Sequence, residues 1–241
     1  MNCSRSSISP ALRPFLAAAL VVCALFPAGR LARAADEATN WTPEGEAKGV
    51  VVHSRIRAGS SFKEFRGSGL IDASPAAVFA VIDDSEAYPH FMPYTAEVRV
   101  LKREKDSVVA YQRLELPLIS GRDYTLRSEN TRWLGPDGPI FRIRWEPAND
   151  LGPSPTPGVL RVKVCEGGWL LEPQGKDTTR ATYTIYTDSG GTVPPMLANS
   201  GSKMAIRKVF EAIRKQVKEP KYAHASAANA VSAEPASPAA R

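Results

Sequence analysis

Eight ionisable or phenolic side chains fall in strand-like stretches where they could meet a bound molecule: Glu64, Arg66, Arg113, Glu115, Arg122, Asp123, Tyr124 and Tyr183. General acid–base chemistry needs a titratable group held at the substrate, and no spacing among these eight marks a catalytic pair. Charged residues at every second strand position ordinarily form the solvent face. An arginine that instead faces an apolar interior needs a partner. The expectation is that Arg122 or Arg113 pairs with Asp123 or Glu115, inside or at the rim of a cavity, and fixes a ligand's head group. His53, His90 and His224 show no metal-binding spacing, so neither a metal nor a cofactor is expected. Cys165 lies in a strand pattern without a nearby histidine and reads as a small buried or half-buried side chain.

The element that must position these groups is the stretch from Pro194 to Val217. Ile206, Phe210, Ile213 and Val217 recur at steps of four, three and four, the mark of a helix with one apolar stripe. Projected back, the same face carries Met196, Asn199 and Ser202, so one end is apolar and the other polar, as in a lid over a cavity. Lys203 projects near the stripe and argues instead for a plain surface helix. Upstream, Val50–Arg57 and Phe62–Ile71 read as a hairpin, with Phe65, Gly67, Gly69 and Ile71 on one face. Two glycines on one face admit a ligand, a crossing helix or a bend in the sheet. Ser74 and Pro75 start a short helix. A second short helical stretch, Ser85–Phe91, carries Tyr88 and Phe91 in an aromatic cluster suited to a cavity mouth. From Ala96 onward the period is two, through about five strands, with a Pro- and Gly-rich surface loop at Pro147–Gly158.

The chain has 241 residues, 43% hydrophobic and 23% charged, an ordinary globular composition. Residues 1–34 read as a secretory signal, with an uncleaved N-terminal anchor as the alternative: Arg5 and Arg13 in front, an apolar run from Phe15 to Phe26, and Ala32-Arg33-Ala34 as the cleavage pattern. Beyond it, 27 basic and 25 acidic residues leave a net charge of +2, with no basic stripe to suggest nucleic acid. Cys165 then stands alone, so no internal disulfide is expected. Residues 35–49 read as a leader anchored only by Trp41, residues 50–218 as the folded domain, and residues 219–241 as a disordered Ala/Ser/Pro tail. The expected location is the periplasm or the cell exterior.

The order of elements, with Ile71-Asp72-Ala73-Ser74-Pro75, Ser120-Gly121-Arg122-Asp123-Tyr124, Gly168-Trp169-Leu170-Leu171-Glu172-Pro173 and Gly190-Gly191-Thr192-Val193-Pro194 followed by Asn199, resembles the START lipid-transfer domain family in its bacterial form. The likeness covers about residues 50–218. It implies an α+β helix-grip fold: a curved antiparallel sheet wrapped around a long C-terminal helix, with two short helices after the second strand. It implies further a cavity between sheet and helix that takes a lipid or other hydrophobic small molecule, with transient membrane contact. Phe65, Tyr88, Phe91, Tyr183, Met196, Asn199, Ser202, Ile206 and Phe210 are the expected lining, and Arg113, Glu115, Arg122 and Asp123 the expected head-group contacts. A cyclase- or dehydratase-type enzyme would need an acid–base pair at the pocket floor. A filled-core interaction module would need Trp145, Trp169 and Phe210 to leave no space.

Overall fold

The computed structural model describes residues 40–60, 62–117, 119–188 and 195–223, with side chains left out at 195–199 and 223. The expected signal and the chain beyond Ala223 lie outside them. Ten strands form one sheet among the described residues: β1 (Thr42–Ala47), β2 (Val50–Ile56), β3 (Lys63–Ile71), β4 (Thr95–Arg103), β5 (Ser107–Leu114), β6 (Arg122–Gly135), β7 (Gly138–Pro147), β8 (Leu160–Arg161), β9 (Val164–Pro173) and β10 (Thr179–Asp188). Their order is β1-β2-β3-β10-β9-β7-β6-β5-β4, antiparallel throughout, with β8 added parallel to β6. Four α-helices accompany them among the described residues: α1 (Pro75–Asp83), α2 (Tyr88–Phe91), α3 (Pro195–Gln216) and α4 (Pro220–Ala223). This curved sheet closed by a C-terminal helix is the helix-grip fold.

Two expected boundaries are corrected. The segment taken as a leader supplies β1, so the short helices follow the third strand rather than the second. Thr-Pro-Glu-Gly-Glu-Ala has no apolar alternation to announce a strand; it holds its place at the sheet edge, where a proline is tolerated, through pairing with β2. Lys48 and Gly49 both have positive φ, 54° and 65°, the two-residue turn that suits a tight hairpin. Trp41 is the anchor expected of it, with the Arg66 and Arg55 guanidinium groups 4.1 and 4.8 Å from its ring centroid. At the other end, Tyr222 of α4 is 3% exposed and its hydroxyl donates to Asp84 Oδ2 at 2.9 Å, so the fold continues past residue 219.

Helix α3 crosses the concave side of the sheet over β2 and β3 and meets α1. Its stripe is buried as its periodicity requires: Ile206, Phe210, Ile213 and Val217 are 0–6% exposed. The glycines of β3 are explained by this crossing. A Cβ on Gly67 would lie 2.4 Å from Ile206 Cγ2, and one on Gly69 would lie 3.3 Å from Phe210. The helix backbone comes close because the strand withdraws its side chains there. Arg214 then fastens the C-terminal half, donating to the carbonyls of Leu70, Lys48 and Gly49 at 2.9, 2.7 and 3.1 Å.

Candidate ligand-binding site

Strand register assigns the expected site residues carried by strands to a face. Gln112 faces Tyr124 and Leu114 faces Arg122 across β5 and β6, while Arg113 faces Asp123 on the opposite side. Continuing through β7, β9 and β10, the concave face carries Trp145, then Trp169 and Tyr183 in register with Gly67 of β3. The expected head-group set is therefore divided. Arg113, Glu115 and Asp123 lie away from α3, and only Arg122 is on its side of the sheet.

The expected pairing is corrected accordingly. Arg113 sits 3.6 Å from Glu97 and 3.5 Å from Glu115, whose side chain is 67% exposed, so these are outer-surface contacts. Asp123 is fully buried but its partner is Arg161, which donates through Nε at 2.7 Å and Nη2 at 3.0 Å; the Tyr111 hydroxyl adds a bond at 3.2 Å. The Pro147–Gly158 loop makes this burial by folding back across the start of β6. Asn149 accepts from the Thr125 N–H and donates to the Val162 carbonyl, both at 2.8 Å, and Arg161 also donates to the Pro153 carbonyl at 3.0 Å. Gly152 passes so close that a Cβ there would lie 1.9 Å from Thr125 Oγ1. Loop composition hid this second buried layer, because its ties run through backbone groups and one asparagine.

On the concave face, two buried clusters flank a belt of half-buried side chains. One joins Phe65, Ile71, Val78, Phe141, Trp169, Ile206 and Phe210; the other joins Leu126, Val162 and Cys165. Trp145 and Ile185 touch both clusters, with Tyr183 on the first and Tyr124 on the second. Trp145 and Trp169 pack around Tyr183, at ring-centroid distances of 5.7 and 4.6 Å. Burial raises the Tyr183 and Tyr124 phenols well above their usual range, yet both side chains retain accessible surface. Both phenols are thus desolvated by surrounding protein while keeping some accessible surface on the concave face. Phe65, Ile206 and Phe210, expected as lining, lie instead in the packed seam beside it, each at most 2% exposed.

The polar groups of this belt are few. The Tyr124 hydroxyl donates to Gln112 Oε1 at 3.2 Å, and the Tyr88 hydroxyl to the Ile82 carbonyl at 2.5 Å. Tyr88 is likewise raised by burial, and Phe91 packs edge-on to it at 5.6 Å. Burial pushes the Cys165 thiol up to about 12, so it is protonated at neutral pH and a poor nucleophile. At neutral pH these groups supply hydrogen bonds rather than proton abstraction. His90 is exposed, and no metal-binding group of His, Cys, Asp or Glu occurs among the described residues. Met196 and Asn199 lie in the first turns of α3, where side chains are outside the description; Ser202 is half-buried.

A recess of about 310 Å³ at the far end of the sheet is floored by Phe79 and Phe141 and rimmed by Asp83, Arg103, Asn130 and Arg132. Asp83 there accepts from Arg103 at 2.8 Å and Asn130 at 2.9 Å, which ties α1 to β4 and β6.

Two lysines of α3, Lys203 and Lys208, reach the neighbouring elements. A bulge at Glu44 turns its carboxylate toward the helix, where it accepts from Lys203 at 2.9 Å, Lys63 at 2.7 Å and Ser54 at 2.7 Å. Lys203, the charge that seemed misplaced on the stripe, is thus neutralised by the segment read as a leader. Hydrogen bonds from Lys63, then Lys203 and Ser54, lower the Glu44 pKa to about 2. On the other flank, Lys208 donates to the Tyr94 hydroxyl at 2.7 Å.

The family model for polyketide cyclase / dehydrase and lipid transport matches residues 71–214. An uncharacterized protein of Pseudomonas aeruginosa is 30% identical over 169 residues, covering 68% of this chain and 79% of the relative. A STAR-related lipid transfer protein fragment from Xanthomonas axonopodis has a TM-score of 0.67 at 27% identity, over 75% of this chain and 99% of that one. Human StAR-related lipid transfer protein 5 also gives a TM-score of 0.67, at 19% identity over 79% of this chain and 92% of that one, a likeness of fold.

Proposed function

The chain belongs to the polyketide cyclase / dehydrase and lipid transport family, within the START superfamily, and from that premise we propose that it binds a lipid or other hydrophobic small molecule between the sheet and α3. The observation that carries this reading is the belt of Tyr124, Trp145, Tyr183 and Ile185, only partly buried although packed between two buried clusters. Burying an alkyl chain there contributes about 0.8 kcal/mol per CH₂, roughly a fourfold gain in affinity for each carbon added. A series of straight-chain alcohols displacing a fluorescent lipid probe tests it. Affinity is expected to climb at about that rate and then level off where the chain fills the space. A flat series would contradict the reading.

Exchange of the ligand proceeds by loosening of the N-terminal half of α3, with the Glu44–Lys203 contact as the latch. The C-terminal half is held more firmly, by the buried stripe and Arg214, and sets how far the helix can loosen. Glu44→Gln removes a contact of about 1 kcal/mol and is expected to speed probe release roughly fivefold in stopped-flow measurements. Because the Glu44 pKa is lowered, its contribution is fully present above the usual carboxylate range and lost only as pH falls toward about 2. Release that accelerates in the wild type between pH 7 and 5 through this contact, or that is unaffected by Glu44→Gln, would argue against the latch.

The protein works outside the cytoplasm, a reading supported by the basic, apolar and Ala-Arg-Ala pattern of its first 34 residues. Periplasmic material beginning at Ala35 is expected on N-terminal sequencing, whereas a chain retaining residues 1–34 would contradict cleavage. Ile119 and Met204, 41% and 57% exposed, support a transient contact with a bilayer during transfer. Ile119→Glu is expected to slow transfer from vesicles while leaving equilibrium binding unchanged; unaltered transfer would count against that contact.

A further inference from the structure

Arg122 is the one charged member of the expected head-group set on the concave face, and it is 4% exposed. Its guanidinium donates to the Ser120 carbonyl, its Nε has no partner, and among the described residues it forms no ion pair. The neighbouring carboxylate cannot serve: Asp123 points to the opposite face and is saturated by Arg161 and Tyr111. Glu115 is on the outer surface with Arg113. A guanidinium buried without a counter-charge is costly, by an amount that a bound anion offsets. Two residues along the same face, about 7 Å away, stands Tyr124, with its hydroxyl held by Gln112. Beyond that begins the aromatic belt of Trp145 and Tyr183.

We propose that Arg122 is the anchor for a single anionic group, a carboxylate or a phosphate monoester, at the end of an otherwise apolar ligand whose chain runs along the Tyr124–Trp145–Tyr183 belt. This rests on the lipid-binding reading above and narrows it to anionic, single-headed amphiphiles. Arginine suits the role because its planar fork donates two parallel hydrogen bonds to either oxyanion.

The test compares three ligands of one chain length, hexadecanol, hexadecanoic acid and hexadecyl phosphate, below their aggregation limits, against wild type, Arg122→Gln and Arg122→Lys. Wild type is expected to bind the acid or the phosphate roughly tenfold to a hundredfold more tightly than the alcohol, and the better of the two names the head group. Arg122→Gln is expected to abolish that preference with alcohol affinity unchanged, and Arg122→Lys to keep part of it. A wild type indifferent to charge, or a preference that survives Arg122→Gln, would overturn the assignment while leaving lipid binding intact. Failure of all three to bind the wild type would overturn both. Should Arg122→Gln not fold, carboxyl-¹³C hexadecanoic acid on the wild type decides: its carboxyl is expected to stay ionised to lower pH than the free monomeric acid, and titration at or above the free value refutes the anchor.

Discussion

Asp123→Ala is expected to destabilise the protein by about 3–5 kcal/mol, the cost of leaving the largely buried Arg161 without its carboxylate. For a domain of this size that is a fall in melting temperature of roughly 6–20 °C, read by circular dichroism or calorimetry. Affinity for a fluorescent lipid probe, measured well below the new transition, is expected to stay within about twofold, because this pair lies on the face of the sheet turned away from α3. Glu115→Ala makes the contrast, since its side chain is 67% exposed, and should change stability by no more than about 0.5 kcal/mol. Replacing Asp123 and Arg161 together with apolar residues of similar volume should recover much of the loss. Equal effects of Asp123→Ala and Glu115→Ala would refute the buried lock. A large loss of ligand affinity with unchanged melting would return Asp123 to the binding site.

Phe210→Ala carries the second large effect, and here stability and binding should fall together. Phe210 is fully buried, lies against the two glycines of β3, and has its ring 5.4 Å from Trp169. Removing the ring costs about 3–5 kcal/mol for transfer and the cavity left behind. The seam it forms holds α3 to the sheet beside the aromatic belt, so probe release is also expected to accelerate, by roughly tenfold if about 1.4 kcal/mol of the loss falls on the closed, ligand-bound arrangement. Met204→Ala, six residues earlier on the same helix but 57% exposed, should do neither. Unaltered release from Phe210→Ala would mean that the helix is not the cover of the site.

The parts of this architecture that depend on periodicity were legible in the chain. The stripe Ile206, Phe210, Ile213, Val217 and the alternating strands from Ala96 onward bury side chains at fixed intervals, and burial at fixed intervals is what a sequence records best. The glycine pair at 67 and 69 signalled close approach, but the choice between a ligand, a bend and a helix required the position of Ile206. Three features escaped because their stabilisation is not periodic. Strand β1 is held by backbone pairing and a bulge, the 147–163 loop by Asn149 and carbonyl contacts, and Asp123 by an arginine thirty-eight residues away. Adjacent residues of a strand point to opposite faces, which forbade the expected joint use of Arg122 and Asp123 at one site; the alternation was visible, but the burial of both faces at the start of β6 was not.

The most direct measurement is native mass spectrometry of the protein recovered from the organism that makes it, followed by organic extraction and identification of whatever it carries. One hydrophobic molecule per chain is expected, ending in a carboxylate or a phosphate. A protein that arrives empty and then takes up neither the alcohol nor the acid nor the phosphate of a sixteen-carbon chain would contradict it.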